Sequence, residues 1–242
     1  MDISSLTISE RLICALDTAD VNEAKQIIEE LDGIVSFFKI GMTLHLASGL
    51  EIIKLLIDSN KRVFLDLKFY DISETVEQAV REAAKLGVHF LTVHGNNAII
   101  KGAVKGKGES DLQILIVTVL TSLDQDDLAE MGYTVPLRDL VLSRAKNGLA
   151  YGADGVISSA QEAEMIKRET SGKLLVVSPG IRDSDAQTDD QKRTMSADAA
   201  IQAGADFLVV GRPITAPKDG KTRREAAIAI IEKMEKGFAV AR

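Results

Sequence analysis

Asp66, Lys68 and Asp71 stand within six residues of one another, at the end of the apolar run Arg62-Val63-Phe64-Leu65. In a regular strand, side chains alternate, so Asp66 and Lys68 face one way while Leu65 and Leu67 face the other. Asp71 follows where the run gives way to an apolar-periodic segment, Ile72 to Leu86, so a second carboxylate can approach the same ammonium from the loop. Flanking carboxylates keep a lysine protonated. Held in place, such an ammonium can donate a proton or steady negative charge that develops beside it. The same residues also fit a structural ion-pair network at a strand end, because such networks perturb charges as functional sites do.

The elements that must position these groups are legible as eight apolar runs of strand length. They centre on Leu12 to Leu16, Phe37 to Ile40, Val63 to Leu67, Phe90 to Val93, Leu112 to Val119, Gly155 to Ser158, Leu174 to Ser178 and Phe207 to Val210. Between them lie segments with apolar residues three and four apart, such as Val21 to Leu31 and Thr43 to Ile57, which is the pattern of repeated βα units. A phrase recurs before runs four, six and eight: Leu86-Gly87-Val88-His89, Tyr151-Gly152-Ala153-Asp154 and Ala203-Gly204-Ala205-Asp206. Each glycine suits the left-handed residue that ends a helix. Marking every second unit, the phrase favours an α/β fold of the (β/α)8 barrel type over a doubly wound sheet.

In such a barrel, chemistry collects at the C-terminal ends of the strands. The residues there are Asp17, Lys39, Asp66 with Lys68, His94, Thr121 with Ser122, Ser158 with Ser159, Ser178 with Pro179 and Gly180, and Gly211 with Arg212. The loops after strands seven and eight commonly bind phosphate in this fold. Gly211 would let the backbone approach an anion, Arg212 would add a planar cationic donor set, and Pro213 suits the first turn of a helix. The polar segment from Arg182 to Arg193 has the length and polarity of a mobile lid, within which Gln191 could close on a phosphate or simply be solvated.

Composition narrows the class. With 242 residues, 45% hydrophobic and 27% charged, the chain can bury the core of one barrel or two small domains, and the lack of a linker favours one domain over residues 1–242. A formal charge of −7 argues against a general nucleic-acid binder, so an anionic ligand needs a local site. The longest apolar stretch, Leu112 to Leu120, is about half of what spans a bilayer. Met1 to Ser9 does not read as a secretory signal, and a cytoplasmic protein is expected. Cys14, the single cysteine, sits in an apolar run and reads as inert filler.

The Asp66-x-Lys68-x-x-Asp71 stretch, followed by Ile72, Thr75 and Val76, resembles the signature of the orotidine 5′-monophosphate decarboxylase family. The resemblance extends through Ala15-Leu16-Asp17, Phe38-Lys39-Ile40-Gly41, Val93-His94-Gly95, Leu120-Thr121-Ser122, Pro179-Gly180-Ile181-Arg182, Asp190-Gln191-Lys192-Arg193 and Gly211-Arg212-Pro213-Ile214-Thr215, in order. Ser73-Glu74 stands where many members carry Pro-Asn, yet both residues still suit the first turn of a helix.

The resemblance implies decarboxylation of orotidine 5′-monophosphate to uridine 5′-monophosphate, the last step of de novo pyrimidine synthesis, with neither metal nor organic cofactor. It implies a charged tetrad of Lys39, Asp66, Lys68 and Asp71, in which Lys68 protonates C6. It further implies a homodimer in which Asp71 and Thr75 reach the neighbour's site. Asp17 and Lys39 would hold ribose hydroxyls and Ser122 the pyrimidine amide edge. Gln191, Gly211 and Arg212 would hold the phosphate, with Thr121, Pro179 and Arg182 completing the substrate-binding lining. His94 reads as a structural strand-end residue, with a place near the sugar as the alternative.

Two other readings stay open on sequence. Magnesium-dependent sugar-phosphate decarboxylases and aldolases of this barrel type carry a similar run, but with a carboxylate for the metal where this chain has Lys39, whose cation would repel magnesium. A catalytically silent nucleotide-binding barrel would need the phosphate grip but not the paired lysine and carboxylates.

Overall fold

The structure, a computed structural model, describes residues 3–182, 192–218 and 220–240. Eight parallel strands each pair with the next in sequence, and the last closes on the first. They are β1 (Leu12–Leu16), β2 (Phe37–Gly41), β3 (Arg62–Phe69), β4 (Phe90–Val93), β5 (Gln113–Val117), β6 (Gly155–Ile157), β7 (Leu175–Ser178) and β8 (Phe207–Val210). Around them run α1 (Val21–Glu30), α2 (Met42–Ser48), α3 (Glu51–Asp58), α4 (Ser73–Lys85), α5 (Asn97–Lys107), α6 (Gln125–Glu130), α7 (Leu137–Ala150), α8 (Ala163–Glu169), α9 (Ala197–Gln202), α10 (Arg212–Thr215) and α11 (Arg223–Val240). The eightfold barrel is therefore the fold, and no doubly wound sheet forms. Among the described residues no helix is long and apolar enough to cross a membrane.

Strand residues are apolar on both faces because both faces are covered, as parallel sheets require. Outward residues such as Leu12, Cys14 and Leu16 pack under the helices, while Ile13, Ala15, Phe37, Phe64, Phe90 and Phe207 fill the interior. Four phenylalanines close the barrel axis: ring centroids lie 4.9 Å apart for Phe37 and Phe90, 5.1 Å for Phe90 and Phe207, and 5.9 Å for Phe64 and Phe90. The next inward layer up holds Lys39, Asp66 and Thr92, so the charges stand on an apolar floor. Cys14 is fully buried, and that burial pushes its thiol up to about 12, as expected of filler.

The recurrent glycines do end helices. Gly87, Gly152 and Gly204 follow α4, α7 and α9 with φ of 75°, 83° and 98°, values that a side chain would strain. The periodic segment Thr43 to Ile57 is not one helix: it breaks into α2 and α3 at Gly49, where φ is 56°. The fifth strand also stops at Val117, short of the expected Val119. Beyond it, Thr118 bonds Ile157 through both its amide and its hydroxyl, and the carbonyls that follow are taken by arginine side chains.

α4 begins just after Asp71 and carries Thr75, so its seat matters to the site. It lies unusually close to α5. A Cβ on Gly102 or Gly106 would run into the carbonyl oxygens of Ser73 or Glu77, and the Ser73 hydroxyl donates to the Ala98 carbonyl at 2.7 Å. Alanine at 106 should raise helix propensity by about 1 kcal/mol, but the clash outweighs it. Gly106→Ala is expected to lower stability by about 1–3 kcal/mol, read as an earlier midpoint in urea unfolding.

Candidate active site

A cavity of about 400 Å³ opens at the C-terminal ends of the strands. Asp17, Lys39, Asp66 and Lys68 line one side, Leu120, Thr121 and Ser122 the β5 side, and Pro179, Gly180, Arg182, Gly211 and Arg212 the β7 and β8 side. Ala15, Ile157 and Val209 supply apolar wall. Gly211 is close to the charges: a Cβ there would lie 3.4 Å from Asp17 Oδ2. Sequence position alone had brought these groups to one rim, and the barrel gathers them around one volume.

Within it the charges alternate in sign. Lys39 Nζ donates to Asp17 Oδ1 at 2.8 Å and lies 3.5 Å from Asp66 Oδ2, while Lys68 Nζ donates to Asp66 Oδ1 at 2.9 Å. Burial works against charge on Lys39, yet Asp66 and then Asp17 outweigh it and hold its ammonium above the ordinary lysine value. Burial likewise opposes charge on Asp66, but Lys39, Lys68 and the Thr92 hydroxyl hold its carboxyl below the ordinary value of 3.8. The signs follow from linkage. Stabilisation through Asp66 is present above its ordinary pKa and lost as pH falls through the depressed one; that through Lys39 is present below its ordinary value and lost as pH rises through the raised one.

Lys68 and Asp66 do not meet by simple alternation. Leu65 pairs with Leu91 and Phe69 with Val93, so three residues of β3 oppose one of β4, and Lys68 adopts φ 50°. Across the bulge the Lys68 ammonium meets Asp66. Among the described residues no three His, Cys, Asp or Glu side chains gather as metal ligands, and the space between Asp17 and Asp66 is filled by the Lys39 ammonium.

Asp71 and Thr75 do not line this cavity. Both are exposed, and Asp71 accepts from the Ile72 amide at 2.6 Å. His94 is half-buried, its ring 5.8 Å from that of Tyr70, and burial, then Arg144 and Lys68, lower its pKa, so it reads as a neutral packing residue. Gln191 lies outside the described residues.

Residues 10–227 match the family described as orotidine 5′-phosphate decarboxylase / HUMPS. This chain belongs to that family. Among similar proteins, the orotidine 5′-phosphate decarboxylase of Nitrobacter winogradskyi is 49% identical, over 93% of this chain and 92% of its own length. That of Methylococcus capsulatus is 47% identical, over 92% and 90%. A crystal structure of orotidine 5′-phosphate decarboxylase from Lactobacillus acidophilus superposes with a TM-score of 0.80 at 35% identity, covering 93% of this chain and 99% of that one.

Two residues of this family member escape sequence reasoning. Thr92 sits in Leu91-Thr92-Val93, where threonine reads as an ordinary strand former. Arg193 ends the polar segment whose composition suggests a mobile lid, yet it is buried. The Arg193 guanidinium is buried and donates to Glu162 at 2.6 Å, to the carbonyls of Val119 and Leu120 at 3.0 Å, and to that of Leu123 at 3.2 Å. Its own amide donates to the Thr121 carbonyl. Lys192 bridges Asp124 and Asp127 at 2.7 and 2.8 Å. One side chain thus braces the turn that presents Thr121 and Ser122, a role that only the folded contacts disclose.

Truncating Arg193 strands a buried carboxylate and several carbonyls. Arg193→Met is expected to destabilise the protein by about 3–5 kcal/mol. The double change Glu162→Leu with Arg193→Met should cost less than the two single changes summed, as read by denaturant unfolding of all four proteins.

Proposed function

We propose that this chain decarboxylates orotidine 5′-monophosphate to uridine 5′-monophosphate, a carboxy-lyase step of pyrimidine biosynthesis, using its own side chains. Membership of the family over residues 10–227 supports the reaction. The observation that carries the chemistry is the Lys68 ammonium held 2.9 Å from Asp66, in a cavity that Gly211 and Arg212 also line.

When carbon dioxide leaves C6, the electron pair of the broken bond stays in an sp² orbital that is not conjugated with the ring carbonyls. A fixed cation must steady it. Lys68 is placed to do so and then to give its proton to C6, completing a C6–H bond; the neutral amine recovers a proton from solvent. Opposite charges about 4 Å apart interact by roughly 4 kcal/mol at an effective dielectric near 20. That falls short of the roughly 8–23 kcal/mol by which enzymes lower barriers. The remainder must come from preorganised charge and from binding energy at remote groups of the substrate.

The remote groups have candidates. Asp17 and Lys39 suit ribose hydroxyls, Thr121 and Ser122 the pyrimidine edge, and Pro179, Arg182, Gly211 and Arg212 the phosphate, with Gln191 assigned there by resemblance. The Lys39 ammonium between Asp17 and Asp66 supports a metal-free reading, since a divalent cation at those carboxylates would be repelled.

A homodimer belongs to the same proposal. Asp71 and Thr75 do not line the cavity of their own chain, and Tyr70 and Ile72 beside them are 70% and 71% exposed, which supports burial against a second copy. Residues 1–242 are taken as one barrel domain, supported by the closure of all eight strands into a single sheet. A cytoplasmic location fits the biosynthetic step.

Turnover is read from the ultraviolet absorbance of orotidine 5′-monophosphate. Lys68→Ala should lose at least about a thousandfold in kcat while still binding nucleotide, whereas Arg212→Ala should mainly raise KM. Near-normal turnover by the lysine variant would sink the mechanism. If the site is shared, mixing inactive Asp71→Ala and Lys68→Ala subunits creates one intact site in each mixed dimer and restores activity; confirmed mixed dimers that stay inactive would refute the sharing.

A further inference from the structure

The bulge in β3 leaves Asp66, Leu67 and Lys68 opposite one residue of β4, Thr92. Thr92 is fully buried, behind the carboxylate and outside the cavity lining. Its hydroxyl accepts from the Lys68 backbone amide at 2.9 Å and donates to Asp66 Oδ1, also at 2.9 Å. A hydroxyl has one proton and two lone pairs, so both bonds form at once and its single proton is committed to the carboxylate.

We propose that Thr92 is a positioning residue, whose one hydroxyl fixes both the backbone bend from which Lys68 rises and the carboxylate that receives the Lys68 ammonium. This inference rests on the role proposed for Lys68. A lysine at φ 50° is held only where its surroundings over-determine it. Paired strands resume at Phe69, whose carbonyl accepts from the His94 amide, so within the bulge the Lys68 amide takes a side-chain acceptor in place of a ladder partner. β-Branching limits the rotation of Thr92, which keeps its oxygen between the two groups. Other interior strand positions, Ala15, Val117, Ile157, Val177 and Val209, are apolar. Valine would fill the same volume; the hydroxyl is what threonine adds.

The test compares Thr92→Val, Thr92→Ser and Lys68→Ala. Thr92→Val should lower kcat by about tenfold to a hundredfold, the scale of a lost hydrogen bond to a charged group, with KM within about threefold of the parent. Thr92→Ser, which keeps the hydroxyl, should recover most of kcat. Hydrogen exchange of the peptide containing Lys68 should be faster in Thr92→Val than in Thr92→Ser. If valine fails to fold, Thr92→Ala against Thr92→Ser makes the same contrast. Parental kcat without the hydroxyl, or equal losses with and without it, overturns the inference. Should Lys68→Ala turn over normally, the role proposed for Lys68 fails; should it be inactive while Thr92→Val is normal, only the positioning role of Thr92 fails.

Discussion

A carboxylate can stay ionised above an apolar floor only when cations and donors surround it, and Asp66 is the group on which this condition bears hardest. Four phenylalanine rings lie beneath it, and Lys39, Lys68 and Thr92 close around it. Removing any one partner leaves the others mismatched. The cluster therefore holds its own geometry, with each charge placed by the demand of its neighbour. Low polarity below also strengthens every interaction above it.

The barrel supplies what the cluster cannot. Strands β1, β2 and β3 bring Asp17, Lys39 and Asp66 side by side, although 49 positions separate the first from the last in sequence. Around the rim, loop conformation is held by buried polar contacts. Arg193 bonds to a run of carbonyls that would otherwise have to find water, and Glu162 balances its charge. The α4 helix is set by the absence of side chains on Gly102 and Gly106. In each case the placement of a loop or helix near the site depends on a residue that does not itself line the cavity.

Much of this was legible in the chain because it depends on local pattern. β1, β4 and β8 have the bounds expected of their apolar runs, and the glycines after α4, α7 and α9 carry the backbone sign that their position demands. The strand-end rule by itself places Asp17, Lys39, Asp66, Lys68, Ser122 and Arg212 on one rim. What stayed hidden depends on partners far along the chain. The bulge at Lys68 is set by the pairing of β3 with β4, which a period of two cannot reveal. Beyond Val117, the carbonyls that would continue β5 are taken by Arg144 and Arg193, which lie far along the chain. Gly49 split a segment whose periodicity looked continuous, since spacing of apolar residues registers the buried face and not the turn between two helices.

The phenylalanine floor has a further consequence, for traffic. Rings pack across the axis below the charges, and the described cavity beside Lys68 opens at the strand C-termini. A nucleotide held at that mouth, as proposed for this chain, would stand in the path of the small molecule released beneath it. Under the proposed function, gas escape and nucleotide departure would then be events at one doorway.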